Sequence, residues 1–600
     1  MRGRSAATFL AVVGAATLLT TAVVSGAVAA GAATPPDRTV WTFESDPVGA
    51  VPPGCTTPAG ALPVTVSDAR GYRSAKSLLL DDQSTSAIAE ISCPSAARTG
   101  AELDFQLYPQ ELANGLQFTL LGDLADYPGG PRAVFHLGVT ATGSIRWYDG
   151  AGWTQIAPAG AVPVRSWSAV RLVVPADQGE AYVYVDGRYV GQSGPWGVRA
   201  VTDITGFQFS SAGTATAGDE AYLDDIAYGA PGPHPTGPQP FRVSAPTTIA
   251  QSATPIQMPN TAVSVRVNGR PQILMDYPAH TDVSATSGNV LVVSTDGGRS
   301  WTEAQDRNPL PDAPSFDLSR LPNGDLLAVD YHTYMTPDSG DLQADVPEAV
   351  SHDGGMTWTL FTGEQTTPQP MRVISATTDW PGHPLGGFVL VHSVVADPDG
   401  TLYQSGYGYY AADGGTYRQV LLVSTDEGHT WSTRTVAVNP TLSSDPGYQG
   451  FCEGAIERVA DGSLLIVMRT GSYQPMYTAR STDDGQTWST PQPLLAGRDQ
   501  QPVVGIYPSL TLMGNGQLVL WVGRPGQAML TSPDGSGRSW TAPQEIDYAN
   551  SGNGVTLAVN SRQLLAFGDR GANWSFPTPA PYGVWVRTVT VAGPGRWWHS

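Results

Sequence analysis

Ser294-Thr295-Asp296-Gly297-Gly298-Arg299-Ser300-Trp301 is the stretch that decides the fold, because it recurs along the chain. The same pattern, S-x-D-x-G-x-x-W, returns at residues 351–358, 424–431 and 481–488, and a copy with one extra residue spans 532–540. Asp and Ser side chains hydrogen-bond turn backbone, Gly adopts positive φ, and Trp packs on a neighbouring sheet. The repeat therefore predicts a series of similar hairpins with a structural role.

The spacing of the copies indicates how many units the chain contains. Successive Trp residues of the pattern are 57, 73, 57 and 52 residues apart. These distances suit four-stranded units with loop insertions, and a radial arrangement of such units protects their edges. With a last unit that lacks the pattern, residues 552–591, the five copies predict a six-bladed β-propeller over residues 242–600.

Composition supports an all-β class and excludes some partners. The chain has 68 Gly and 50 Pro, is rich in Trp and Tyr, and shows no long amphipathic helical period. Its 53 acidic and 32 basic residues give a net charge of -21. A field of this sign repels nucleic acid and anionic membrane surfaces, so neither is predicted as a partner.

The first residues predict export. Met1-Arg2-Gly3-Arg4 precedes an apolar run, residues 9–24, and the small residues 27–29 suit a signal peptidase. A membrane anchor is the alternative, but the run is shorter than the roughly 20 residues that a span needs. We therefore expect residues 1–33 to be a signal peptide and the protein to be secreted and extracellular.

Three cysteines bear on the same expectation. Cys55 and Cys93 fall in one predicted domain of an exported chain, which favours a disulfide between them. Cys452 has no predicted partner.

Residues 38–230 predict a β-sandwich, because short alternating segments such as 181–185 are separated by Gly, Pro and Asp turns. Segments 41–44, 182–188 and 222–226 resemble those of laminin-G or concanavalin-like jelly rolls. Such a domain either binds carbohydrate or serves as a stabilising neighbour, and both readings stay open.

A segment rich in Pro and Gly, residues 231–241, predicts an extended linker between the two domains.

The repeated turns of the C-terminal part resemble the Asp-box, or BNR, motif of the sialidase superfamily, although proteins with binding or structural roles carry it too. The resemblance implies an exo-glycosidase acting on a terminal acidic sugar. In that family three arginines hold the sugar carboxylate, an Asp is the acid/base, and a Glu activates a Tyr nucleophile.

Four residues match these roles by position. Asp282, which is 12 residues before Ser294, matches the acid/base. Glu453 and Arg469 fit the family's order of Glu, strand, turn, strand and Arg, which returns both to one face of the ring. Arg524 matches a second clamp arginine, eight residues before the fifth turn.

Two positions depart from the family pattern. Gln257 stands where the first arginine is expected, and Asn553 stands where the nucleophilic Tyr is expected. Tyr548 and Tyr507 are the nearby candidates for that Tyr. As an alternative, both are rim aromatics that stack on sugars.

Other polar and aromatic residues show weaker signals. His280, His332 and His392 lack metal-ligand spacing, so we predict no metal and no other cofactor. The aromatic clusters 330–334 and 407–410 either stack on sugars or belong to the core and loops.

The sequence leaves three functions open. The first is a secreted sialidase-type glycosidase, and the second is a carbohydrate-binding propeller that has lost catalysis. The third is a glycosidase of the same fold acting on another sugar, with Asp282 and Glu453 as its carboxylate pair. Retention of these two carboxylates favours an enzyme, whereas Gln257 and Asn553 argue against an ordinary sialidase.

Overall fold

The computed structural model describes residues 38–593, apart from residues 128–131, 176–178, 233–238, 257–259, 280–287, 376–382, 439–446, 548–551 and 572–579. Helix within these residues is limited to 3-10 turns at Trp196–Val198 and Gln305–Arg307, so the predicted all-β class is confirmed. No helix in the described part of the chain has the length and apolarity that a membrane crossing requires. The predicted signal peptide lies outside the described residues.

Residues 38–229 form two sheets. Their strands are β1 (Arg38–Trp41), β2 (Leu62–Pro63), β3 (Thr65–Ser67), β4 (Ser77–Asp82), β5 (Ala89–Arg98), β6 (Ala101–Glu111), β7 (Leu116–Leu124), β8 (Arg132–Val139), β9 (Ile145–Tyr148), β10 (Trp153–Ala157), β11 (Ser168–Val174), β12 (Ala181–Val185), β13 (Arg188–Ser193), β14 (Val201–Ser211) and β15 (Asp219–Gly229). One sheet has the order β13-β12-β11-β6-β15-β4-β3, with β1 on β15, and the other has the order β10-β9-β8-β7-β14-β5-β2.

The two sheets pack face to face because alternate residues of each strand are apolar and buried between them. Phe105 on β6 contacts Phe118 on β7 and Phe209 on β14, with ring centroids 5.6 and 4.9 Å apart. Cys55 and Cys93 form a disulfide that ties the loop before β2 to β5. The predicted pairing is confirmed, and Cys452 is a buried free thiol.

The C-terminal part consists of antiparallel units. Its strands are β16 (Phe241–Val243), β17 (Thr247–Ser252), β18 (Ala262–Val267), β19 (Arg270–Pro278), β20 (Asn289–Ser294), β21 (Thr302–Glu303), β22 (Phe316–Arg320), β23 (Leu326–Asp330), β24 (His332–Met335), β25 (Gln343–Ser351), β26 (Thr359–Thr366), β27 (Val373–Ser375), β28 (Leu385–Ala396), β29 (Leu402–Gly408), β30 (Arg418–Ser424), β31 (Thr430–Ala437), β32 (Cys452–Arg458), β33 (Leu464–Arg469), β34 (Tyr477–Ser481), β35 (Gln492–Pro493), β36 (Leu495–Ala496), β37 (Gln501–Pro502), β38 (Ile506–Leu512), β39 (Leu518–Gly523), β40 (Gln527–Ser532), β41 (Gln544–Asp547), β42 (Gly554–Ala558), β43 (Gln563–Arg570) and β44 (Tyr582–Val591).

Strand pairing groups these strands into consecutive units. Unit 1 is β18–β21, unit 2 is β22–β26, unit 3 is β28–β31 with β27 paired to β28, unit 4 is β32–β35, unit 5 is β38–β41, and unit 6 is β42–β44 with β16 and β17. Units 2 and 3 join through β24–β28 and β26–β31, while β36 and β37 form a separate pair. Because β16 and β17 pair with β44, both ends of this part meet in one sheet.

The first strands of the units form a closed ring. Strands β18, β22, β28, β32, β38 and β42 contact one another in this order, and β42 contacts β18. Side chains on these strands therefore converge toward a common axis.

The repeated turn has the predicted structural role. In unit 3, Ser424 Oγ donates to Asp426 at 2.8 Å and accepts from Gly428 N at 3.0 Å. Gly428 has φ +94°, and a Cβ there would lie 2.3 Å from the Glu348 carboxylate of unit 2. The buried Trp431 donates to the same carboxylate at 2.6 Å. The turn thus joins two neighbouring units.

Candidate active site at one end of the ring

The strand register shows which end of each unit carries the predicted site residues. In units 1–5 the Ser that opens the repeated turn pairs with a residue of the second strand, namely Ile273, Leu326, Leu402, Leu464 or Leu518. Five residues further along the chain, at or next to the end of each strand, lie Pro278, Tyr331, Tyr407, Arg469 and Gly523. The hydroxyl oxygens of Tyr331 and Tyr407 are 3.3 Å apart, so neighbouring strand ends converge there. We call this the upper end of the ring.

Three predicted site residues at the upper end have left-handed backbone conformations. The φ angles are +47° at Glu453, +43° at Tyr507 and +39° at Arg524. Glu453 and Tyr507 each lie in a β-bulge, where the register of the first strand shifts against the second. A bulge redirects a side chain, and strained backbone of this kind concentrates at functional sites.

Glu453 is held by two donors. Its Oε1 accepts from Arg469 Nη1, and its Oε2 accepts from the backbone N–H of Tyr507 at 3.1 Å. Burial lowers the pKa of Arg469, but the charge of Glu453, the electrostatic effects of Cys452 and Tyr407 and the hydrogen bond to Glu453 together raise it by more, so the pKa lies above its ordinary value. The predicted proximity of Glu453 and Arg469 is therefore observed, and the arginine stays charged.

Arg469 and Arg524 share one acceptor. Ser472 Oγ lies 3.2 Å from Arg469 Nη2 and 3.2 Å from Arg524 Nη1. Arg469 Nη2 also donates to Gln449 Oε1 at 2.9 Å. Among the described residues, Nε of Arg469 has no hydrogen-bond partner. The site thus presents two neighbouring guanidinium groups that share one hydroxyl.

Tyr507 contacts Glu453 through its backbone, whereas its hydroxyl donates to Asn260 Oδ1, which lies just before β18 of unit 1. Asn260 Nδ2 donates to Asp317 at 2.7 Å, and Gln404 donates to the other oxygen of Asp317 at 2.8 Å. Burial raises the pKa of Tyr507 and of Asp317 well above their ordinary values. The Tyr507 hydroxyl is therefore a neutral donor in a buried polar network.

His392 lies beneath the site in the ring. Its ring centroid is 4.7 Å from that of Tyr507, and burial lowers the pKa of His392 to about 4. The side chain is therefore neutral near pH 7. No group of three or more His, Cys, Asp or Glu residues that could hold a metal ion is found within the described ranges.

The two aromatic clusters divide by burial. Tyr331, Tyr407 and Tyr410 are buried. Tyr409 is partly exposed, and its ring stacks on Tyr417 with a centroid distance of 4.7 Å and an interplanar angle of 29°. This stacked pair is the part of the clusters that a sugar ring could contact.

The remaining predicted residues, Gln257, Asp282 and Tyr548, lie outside the described residues. Ala279 N donates to Gly288 O at 3.2 Å just beyond the upper end of β19. Asp282 lies between these two residues in the sequence. Asn553, which stands at the family's Tyr position, is buried immediately before β42.

Sequence reasoning missed Ser472, Gln449 and Asn260. Ser472 follows Arg469 by three residues and Gln449 precedes Glu453 by four, so proximity to predicted site residues was the available signal. Asn260 gave no local signal, because its contact with Tyr507 spans 247 residues.

The comparisons with known proteins agree with the resemblance over part of the chain. Residues 369–505, which include Glu453 and Arg469, match a family described as a BNR repeat-like domain. A sialidase of Micromonospora viridifaciens is 27% identical over 226 residues, which are 33% of this chain and 32% of that protein. The match thus spans about a third of the relative's length. Both findings support a sialidase-like fold in the C-terminal part.

Solved structures similar to this chain include two glycosidases. The NanB sialidase of Streptococcus pneumoniae is 13% identical with a TM-score of 0.38, and the match covers 82% of this chain and 95% of that one. An α-L-arabinofuranosidase of Fusarium graminearum is 13% identical with a TM-score of 0.40, and the match covers 57% of this chain and 97% of that one.

Proposed function

We propose that this protein is a secreted glycosidase in which a jelly-roll domain precedes a six-bladed β-propeller of the sialidase type, and that it cleaves a terminal acidic sugar. The observation that carries the proposal is the convergence of Arg469 and Arg524 on Ser472, beside the carboxylate of Glu453. The ring of six first strands supports the propeller architecture.

The two arginines favour an acidic substrate. Guanidinium groups bind carboxylates through charge-assisted hydrogen bonds, each worth about 1.5–3 kcal/mol. In a chain of net charge -21, two cations at one end of the ring form a local site of opposite sign. Gln257 in place of a third arginine removes one charge from the clamp.

Glu453 is the carboxylate that we assign to the chemistry. Arg469 and the backbone N–H of Tyr507 fix its position, as a catalytic group requires. Asp282 is the proposed acid/base partner. Tyr548 is the candidate nucleophile on the family mechanism, whereas the other sequence candidate, Tyr507, has a buried hydroxyl that donates to Asn260. Glu453 is the nucleophile if the chemistry uses a carboxylate pair.

A panel of chromogenic glycosides tests the proposal. Sialosides, uronides and neutral glycosides would be assayed with the wild type, Glu453→Gln and Arg469→Ala. We expect cleavage of an acidic glycoside, a loss of kcat of at least about a hundredfold in Glu453→Gln, and weaker substrate binding in Arg469→Ala. Asp282→Asn is expected to match Glu453→Gln.

Other results would replace the proposal. Cleavage of a neutral glycoside alone, with KM and kcat unchanged in Arg469→Ala, would indicate a glycosidase of this fold that acts on another sugar. Binding of glycans without cleavage of any substrate would indicate a lectin-like protein.

Secretion is part of the proposal, supported by the apolar leader and by the disulfide in the N-terminal domain. N-terminal sequencing of protein recovered from culture medium is expected to start after the leader. Retention of residues 1–33 on a cell-bound protein would contradict export.

A further inference from the structure

We infer that the N-terminal domain is part of the candidate active site, because it holds the turn whose Ser472 joins Arg469 and Arg524. The inference rests on the proposed function for its consequence on catalysis. Its structural basis is a contact between the two domains at the residue next to Ser472.

That residue is Tyr473. Its ring stacks on Tyr189 of β13, with centroids 5.5 Å apart and an interplanar angle of 20°. Its hydroxyl donates to Glu180 at 3.3 Å, and Glu180 is fully buried beside β12. Tyr182 and Tyr184 of β12 complete the aromatic cluster. The first sheet of the N-terminal domain therefore packs against the partly buried Tyr473 side chain.

The turn that carries Tyr473 is closed on itself, so its parts move together. Thr470 Oγ1 donates to Pro475 O at 2.7 Å across the turn. Tyr473 has a left-handed backbone, with φ +60°. A Cβ at Gly471 would lie 2.2 Å from Gly447 O, so the turn also packs closely on its neighbour. A displacement of Tyr473 would therefore displace Ser472.

Ser472 matters because the two guanidinium groups carry the same charge. Its hydroxyl oxygen accepts a hydrogen bond from each arginine and so holds both at one place. Without the hydroxyl in position, repulsion favours separation of the arginines. A sugar carboxylate would then lose contact with one of them, which weakens substrate binding more than it slows bond cleavage.

A second contact between the domains provides a matched control. Arg171 Nη2 of β11 donates to Glu545 of unit 5 at 2.9 Å. Both residues lie outside the turn of residues 470–475, and neither belongs to the candidate catalytic machinery. Glu545→Gln removes the charge from this contact and leaves Tyr473, Tyr189 and Glu180 unsubstituted, although Arg171 also lies over the ring of Tyr184, 5.3 Å from its centroid.

The experiment compares Tyr189→Ala, Ser472→Ala and Glu545→Gln with the wild type on the acidic glycoside identified by the panel. For Tyr189→Ala and Ser472→Ala we expect KM to rise about tenfold, with kcat within about twofold, which corresponds to about 1.4 kcal/mol of binding. Glu545→Gln is expected to keep wild-type kinetics. Tyr473→Phe keeps the stacked ring and removes the hydrogen bond to Glu180, and it is expected to raise KM about two- to threefold. This variant tests the inference if Tyr189→Ala fails to fold.

Hydrogen exchange provides a readout that does not depend on activity. Peptides covering residues 470–475 are expected to exchange faster in Tyr189→Ala than in Glu545→Gln. Unchanged exchange there, or faster exchange with an unchanged KM, would overturn the inference. If the wild type cleaves no glycoside of the panel, the proposed function fails, whereas the exchange result still decides whether the N-terminal domain holds the turn.

Discussion

At the scale of single residues, what could be predicted depended on separation along the chain. Glu453 and Arg469 are 16 residues apart on paired strands, so a strand-turn-strand pattern was sufficient to predict their contact. Asn260 and Tyr507 meet only because the ring closes, and no local pattern specifies that closure. The left-handed backbone of Glu453 also escaped prediction, since Glu has no preference for positive φ.

The role of the Tyr507 hydroxyl can be decided by Tyr507→Phe. The buried hydroxyl donates to Asn260, so its removal leaves a buried acceptor unsatisfied and should cost about 1–3 kcal/mol of stability. We expect kcat to stay within about threefold of the wild type on the substrate of the panel. The measurements are chemical denaturation and steady-state kinetics.

A different result would assign Tyr507 to catalysis. A fall in kcat of a hundredfold or more, with unchanged stability, would identify its hydroxyl as the nucleophile. Asn260→Ala is the companion variant, since it removes the acceptor and leaves the hydroxyl in place.

At the scale of elements, the repeated turn was predictable because its hydrogen bonds are local. In unit 4, Asp483 Oδ1 accepts from Ser481 Oγ at 2.7 Å and from Thr487 N at 2.9 Å. The bulges that redirect Glu453 and Tyr507 were not predictable, because an extra residue in one strand becomes evident only against its partner. Elements fixed by local contacts were thus predicted, whereas the irregularities that shape the site were not.

The turn should make stability depend on pH. Hydrogen bonds from the Thr487 side chain and backbone, and from Ser481, lower the pKa of Asp483 from its ordinary 3.8 to about 2. Because the pKa of Asp483 is lower in the folded protein than in the unfolded chain, the ionised carboxylate stabilises the fold above about pH 4. This contribution is lost as the pH falls through about 2. Asp483→Asn should therefore lower Tm at pH 7, with a smaller difference from wild type near pH 2.5.

The matched control is Asp499→Asn, which changes an exposed Asp outside the repeated turns. We expect it to leave Tm unchanged across this pH range. A Tm difference for Asp483→Asn that is the same at pH 7 and pH 2.5 would contradict the proposed role of its charge.

At the scale of the whole molecule, the arrangement of the two domains was beyond sequence reasoning. The Pro- and Gly-rich segment predicted a linker, but contacts such as Tyr189 with Tyr473 depend on surfaces that are distant in the sequence. Net charge was similarly incomplete as a guide. A value of -21 disfavoured polyanions as predicted partners, yet the candidate site concentrates Arg469 and Arg524 at one end of the ring.

The most direct test of the carboxylate clamp compares one chromogenic acidic glycoside with its methyl ester, which keeps the sugar and removes the charge. The wild type should favour the acid in kcat/KM by at least about tenfold, since each charge-assisted contact is worth about 1.5–3 kcal/mol. Arg524→Ala should reduce this preference by about tenfold or more. Equal kcat/KM for acid and ester in the wild type would contradict recognition of a sugar carboxylate by Arg469 and Arg524.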